Sequence, residues 1–280
     1  MLRFAFSTLS LTFLAALFVG LYMHYRLQDL LFAGKDVAPV APPARIEYQE
    51  IQFLNPKEKL YGWIVPAPVP SRRWLLYFAD GRHSFMHPET YRRLSIWRKL
   101  SFNVLVFDYN GYGLSEGEPS EAAFYEAARQ AYYFLLNNTD AQAPQIVLYG
   151  EGIGASVALQ LSAQGMAAGA LILDNPIYSI KQLIDDLHPF MPTGLYGKFR
   201  KGSVPFNSAH YLNRSSTPKL FLVCEGHLHV PAWHGLQLYE ENMGPGHKLH
   251  RFPGDEASML EQHAATYQRV ISRFLDNLQL

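Results

Sequence analysis

The 280-residue sequence holds one cysteine, Cys224, so an internal disulfide is excluded. It has no CxxC pair and no ladder of Cys and His with zinc spacing, and no metal or other cofactor is expected. Basic tracts are missing as well. Lys plus Arg and Asp plus Glu both total 24, which leaves no electrostatic footprint for nucleic acid. From about residue 46 onward there is neither a repeat nor a low-complexity tract. Cys224 ends the apolar run "KLFLVC", where a buried, inert thiol is favoured over a reactive one.

Core material is plentiful: 49% of residues are hydrophobic and 14% are aromatic. Residues 4–23, "FAFSTLSLTFLAALFVGLYM", carry no charge, and as a helix they cover roughly 30 Å, the thickness of a bilayer's hydrocarbon. A cleaved signal peptide is the rival reading. It requires a small-x-small cleavage site, and "GLYMHYRLQ" offers none. The sequence therefore predicts an N-terminal membrane anchor over 1–28. Arg3 and Arg26 flank the span almost evenly, and the default orientation leaves the globular part on the non-cytosolic side. Residues 29–45 read as a Pro/Ala linker, since "AGKDVAPVAPPAR" cannot form regular helix or sheet.

From 46 to 280 the chain alternates short strands with longer helical patterns. "RIEYQEIQF" and "KLYGWIVP" open as antiparallel strands. "RWLLYFA", "FNVLVFD", "QIVLYG", "GALILD", "KLFLVC" and "HKLHRF" follow, several of them apolar throughout, as in parallel sheets covered on both faces. Helices are predicted near 88–100, 120–137, 153–164, 180–188, 232–242 and 256–278. This order predicts an α/β doubly wound, mostly parallel sheet with helices on both faces.

The stretches "NVLVFDYNGYGLSEGEPSE" (103–121), "LYGEGIGASVALQLS", "LILDNPIYSI" and "VPAWHGLQLYE" together resemble the α/β-hydrolase superfamily, and within it the membrane-anchored α/β-hydrolase-domain subgroup related to esterases and serine aminopeptidases. The resemblance covers about 46–275 and implies a short lid over about 175–217. One tract misleads. Gly113-Leu114-Ser115-Glu116-Gly117 satisfies GxSxG, yet no apolar strand precedes it and Glu118-Pro119 follow, so Ser115 reads as a loop serine.

The resemblance also assigns a place to each part of a serine hydrolase, and each departs. The elbow after "QIVLYG" carries Gly152, flanked by Glu151 and Ile153, so no acyl-enzyme can form there. Ser156, one turn on, is a weak substitute. The acid loop after "KLFLVC" reads Glu225-Gly226-His227-Leu228-His229-Val230-Pro231 and has no Asp. The histidine position after "HRFP" falls on Asp255, Glu256 or Ala257, while His250 and His263 are misplaced for the role. The oxyanion loop reads Ala79-Asp80-Gly81-Arg82-His83, and a carboxylate at Asp80 would repel a developing anion.

Glu151, Asp80, His83, His227, His229, Asp255 and Glu256 could gather at one pocket edge, without compact metal-ligand spacing. The expected function is a non-catalytic, membrane-anchored hydrolase-fold protein that binds a lipid-like molecule or a protein partner, with Phe190, Met191, Leu195, Tyr196 and Phe199 of the lid as apolar wall. The alternative is hydrolysis of ester, thioester or amide bonds by displaced or metal-assisted residues.

Overall fold

The computed structural model describes residues 31–189 and 206–280, together with Phe18 and Tyr22. Eight strands form one sheet: β1 Gln49–Asn55, β2 Glu58–Val65, β3 Trp74–Phe78, β4 Asn103–Phe107, β5 Ile146–Glu151, β6 Ala170–Asp174, β7 Lys219–Cys224 and β8 His247–Phe252. Their spatial order is β1-β2-β4-β3-β5-β6-β7-β8. β2 runs antiparallel to β1 and β4, and all other neighbours are parallel. The central strands β3, β5, β6 and β7 are buried at every residue, because helices cover both faces. The edge strand β1 instead alternates, burying Ile51, Phe53 and Asn55.

The helices are α1 Pro88–Lys99, α2 Glu121–Asn138, α3 Ile153–Ala163, α4 Ile180–Leu187, α5 Ser208–Leu212, α6 Trp233–Glu240, α7 Glu256–Glu261 and α8 Ala264–Asp276. Side chains alternate across the sheet with the two-residue period of a strand. Leu76 and Phe78 join Phe124, Ala127 and Leu135 of α2 on one face. Leu75 and Tyr77 join Leu94 and Trp97 of α1 and Tyr267 and Ile271 of α8 on the other.

Three local features differ from the sequence reading. The helix expected over 256–278 is two helices, separated at Gln262-His263, where the His263 N–H donates to the Ser258 carbonyl. The break lets Met259 and Leu260 pack beneath one helix and Tyr267 and Ile271 beneath the next. α5 was not foreseen; five residues are too few to show a period.

The Pro/Ala stretch also begins as structure rather than as a spacer. Ala33–Asp36 form a 3₁₀ turn, and Leu31 and Phe32 before it are buried, with Phe32 packing on Phe124 and Phe206. Farther along, the Val40 N–H donates to the Met86 carbonyl at 2.8 Å, so residues 31–40 form a strap over the molecule.

Among the described residues no helix is long and apolar enough to cross a membrane. The span expected over 4–23 lies outside the described residues except for Phe18 and Tyr22. Phe190, Met191, Leu195, Tyr196 and Phe199 lie outside them too.

Candidate functional site

Strand order reverses around β3. α1 carries the chain from β3 to β4 on one side, and α2 then returns it to β5 on the other. Ligands bind at the carboxyl ends of strands flanking such a reversal. The residues following β3 and β5 therefore meet there.

β5 ends at Glu151, and Gly152 turns the chain into α3 with φ +54 and ψ −117. A side chain on L-residues in this region costs about 1–2 kcal/mol, and glycine avoids it. The Gly152 N–H donates to the Asp174 carbonyl at 3.0 Å. A Cβ at position 152 would lie 3.1 Å from the Cβ of Asp80. The turn has the shape of a nucleophile elbow, and a carboxylate-bearing residue crowds the place where a nucleophile would stand.

Two arginines tie the surrounding carboxylates together. Arg82 pairs through Nε with Asp80, and through Nη2 with Glu256 at 2.9 Å and Glu89 at 3.5 Å. Arg93, on α1, has a side chain only 1% exposed and pairs through Nη2 with Glu256. Its Nε lies 2.8 Å from Glu151 Oε2, but the Nε–H is donated to the Tyr149 hydroxyl at 2.9 Å. Tyr149 in turn donates to Asp174 Oδ2 at 2.6 Å, as does Tyr267 at 3.0 Å. Tyr77 donates to Glu151 Oε1 at 2.6 Å, whereas Oε2 of that carboxylate accepts no hydrogen bond.

This arrangement divides the carboxylates. Burial pushes Asp80 up, but the Arg82 guanidinium beside it outweighs burial and holds it below the usual range. Burial likewise opposes ionisation of Glu256, yet Arg93, then His227 and Arg82, hold it well below. For Glu151 burial dominates, and Arg93 offsets it only in part, leaving the carboxyl pushed up to about 8. Burial also raises Asp174, against Arg93 and Tyr149.

His227 follows β7 and stands 3.2 Å from Glu256 Oε2 through its Nε2. Its Nδ1 accepts the backbone N–H groups of His229 at 3.2 Å and Val230 at 2.9 Å. An accepting Nδ1 puts the ring hydrogen on Nε2, where it is donated to Glu256. Both nitrogens are committed, and no lone pair remains to take a proton at Gly152. Relative to the hydrolase pattern, base and acid types stand at each other's stations: the imidazole follows β7 and the carboxylate follows β8.

These groups form the floor of a cavity of about 550 Å³, within the range of small-molecule sites. Ile153, Ile177, Ile180, Leu183, Ile184 and Val230 supply an apolar wall. Leu31, Gly34 and Val37 of the strap line it as well. Among the described lining residues there is no serine, threonine, cysteine, lysine or tyrosine.

Of the residues singled out from the sequence, Asp80, Glu151, Gly152, Ile153, His227, His229 and Glu256 all line this cavity. Ala79 is buried just behind it, and its carbonyl accepts from the Tyr109 hydroxyl at 3.4 Å. Asp255 is a helix cap, its Oδ1 accepting the Ser258 N–H at 2.8 Å. Ser115 ties a loop, donating to the Asp108 carbonyl at 2.8 Å and accepting from the Tyr61 N–H at 2.9 Å. Ser156 faces α5, with its hydroxyl 2.5 Å from that of Ser208. Glu225 pairs with Arg251 at 2.7 Å on the exposed side.

The sequence reading missed Arg82, Arg93 and the strap. Arg93 had a signal: it shares a helical stripe with Thr90, Leu94 and Trp97, all buried. His83, His87 and Glu89 have ligand atoms within 4.8 Å of one another, the spacing of a metal group. Against a cation there stand Arg82, 3.5 Å from Glu89, and the positive end of α1.

No family model matches the chain. It is 29% identical over 191 residues to protein bem46 of Schizosaccharomyces pombe, covering 66% of this chain and 63% of that protein, under two thirds of its length. It is 28% identical over 210 residues to the α/β hydrolase domain-containing protein WAV2 of Arabidopsis thaliana, covering 70% of this chain and 68% of that protein. Among solved structures, an α/β hydrolase from Vibrio vulnificus superposes with a TM-score of 0.71 at 20% identity, covering 88% of this chain and 91% of that one. Sheet order, elbow and these likenesses agree: the chain has the α/β-hydrolase fold.

Proposed function

We propose that this protein is a membrane-anchored member of the hydrolase-fold group that lacks serine hydrolase activity and binds a lipid-like molecule in the cavity above Gly152. One observation carries the reading: the cavity keeps an apolar wall, yet no described residue lining it bears the hydroxyl, thiol or amine of a serine-type nucleophile. Acyl transfer needs a nucleophile, a base with an open lone pair and donors for an oxyanion. Gly152 stands at the nucleophile's place and Glu256 at the base's, His227 at the acid's place has both nitrogens engaged, and the negative charge of Asp80 opposes an oxyanion.

The uncharged stretch over 4–23 supports the anchor, with the globular part on the non-cytosolic side. Leu31, Gly34 and Val37, which follow that stretch in the chain, line the cavity.

The test is lipid analysis of the full chain purified from membranes, beside an Ile184→Asp variant that puts a carboxylate in the apolar wall. The reading expects a single-chain lipid enriched on the wild type and absent from the variant. Equal lipid on both proteins would refute it.

A further inference from the structure

Of the described residues lining the cavity, only Val37, Leu187, His188 and His229 are exposed. A lining residue that also faces solvent marks the opening, so these residues form its mouth. None of them carries a carboxylate, ammonium or guanidinium. The charged lining residues, Asp80, Arg82, Glu151, Asp174 and Glu256, are buried or half-buried at the floor.

Aliphatic surface gathers at this mouth. Leu228, between the lining residues His227 and His229, does not line the cavity itself and is 77% exposed, the highest value among the large hydrophobic residues described. Leu228, Leu187 and Val37 come from separate parts of the chain, namely the loop after β7, the C-terminal end of α4 and the strap. A single exposed leucine is ordinary, whereas aliphatic side chains brought to one opening by separate segments mark a surface that something covers.

The course of the chain points to what covers it. The uncharged stretch over 4–23 precedes the strap, and the strap enters the fold at Leu31, itself a lining residue. Phe18 and Tyr22 of that stretch are helical, stand four residues apart and so share one helix face, and are 72% and 56% exposed. Val69 and Met243 are exposed too, but they precede β3 and β8 and so stand at the amino ends of the parallel strands, opposite the cavity. The uncharged stretch joins the molecule at the mouth, not at that end.

We infer that the cavity's mouth seats on a lipid surface, with Leu228, Leu187 and Val37 entering the headgroup boundary and the opening facing the acyl chains. The inference rests on the anchored, ligand-binding reading above and adds the surface through which the ligand passes. Apolar side chains seated in this way lie about 5–10 Å into the boundary. His188 and His229, each with an apolar ring body and a polar edge, then stand among the headgroups.

The test places a polarity-sensitive fluorophore on Leu228→Cys and, in a second protein, on Val69→Cys. Both positions are exposed, while the native Cys224 is buried and burial pushes its thiol up to about 12, so the label enters at the new cysteine. Each full chain is placed in phosphatidylcholine nanodiscs, with and without lipid spin-labelled near the headgroup. The expected result is a blue-shifted label at position 228, quenched several-fold more by the spin label than the one at position 69. Leu187→Cys, on another segment of the mouth, is expected to behave as Leu228→Cys does, so the outcome does not depend on one variant's folding. Labels at 228 and 187 as wet and as weakly quenched as that at 69 would overturn the inference while leaving the anchor and the cavity in place. A blue shift without quenching by the spin-labelled lipid would overturn it as well, the cover then being protein, either a second copy or residues 190–205 of the same chain. Failure of the chain to enter nanodiscs would refute the anchor reading, and the inference with it.

Discussion

Replacing Arg93 by methionine removes a buried guanidinium while keeping most of its volume. In the wild type its charge faces Glu256 and Glu151, and its Nε–H satisfies Tyr149. Glu256 retains Arg82 and His227 after the change, whereas no other arginine is paired with Glu151. Removing one partner of a buried ion pair typically costs about 3–5 kcal/mol, because the other charge stays buried. Near neutral pH Glu151 keeps its proton, so the charge that loses its partner is that of Glu256, and with Arg82 and His227 remaining the expected loss is at the lower end, about 3 kcal/mol.

The pH dependence sharpens the prediction. Burial holds the folded Glu151 carboxyl at about 8, above its unfolded value of 4.5. Through that window the folded chain keeps a proton that the unfolded chain releases, so wild-type stability falls as pH rises from about 4.5 to about 8. Without Arg93 the folded value climbs further, and the fall continues above pH 8. The gap between the proteins should then widen by about 1.4 kcal/mol per pH unit. Chemical denaturation of both full-length chains, followed by tryptophan fluorescence at pH 6, 7.5 and 9, reads this directly. A loss below about 1 kcal/mol, against the buried-pair expectation, or a gap constant from pH 7.5 to 9, would refute the reasoning.

Two further outcomes follow from local geometry. Ser156→Ala leaves the Ser208 hydroxyl without its buried partner and should cost about 1–2 kcal/mol in denaturation; any change in esterase readout would restore Ser156 as a nucleophile. Gly34→Leu drives a side chain into the Gly81 and Arg82 backbone, so the strap should lift and retained lipid fall in extraction assays; unchanged retention would remove the strap from the binding account.

The fold was legible because its signals are local and repeated. Apolar runs such as "QIVLYG" and "KLFLVC" became the buried strands β5 and β7, and the glycine turn at 152 marked the elbow. That positions 80, 152 and 227 meet at one cavity was legible as well, since each sits a short step beyond a recognisable strand. What binds them was hidden. Arg93 reaches Glu256 across 163 residues of chain, and no spacing rule joins a helix stripe to a loop that far away. The tautomer of His227 depends on two backbone N–H groups, a matter of geometry rather than composition. The strap was read as a spacer because proline and alanine exclude regular structure, yet they do not prevent Leu31 and Phe32 before them from packing into the core.

The central proposal is that this site does not perform serine chemistry, and that a serine placed at position 152 does not by itself supply it. A fluorophosphonate probe on the wild type and on Gly152→Ser, with mass-spectrometric mapping, tests it most directly. The variant carries a side chain at φ +54 and a Cβ 3.1 Å from that of Asp80, a strain of about 1–2 kcal/mol that the fold should survive. With His227 engaged at both nitrogens, the account predicts no labelling of either protein. Labelling of the wild type, or of the new serine at position 152, would contradict it.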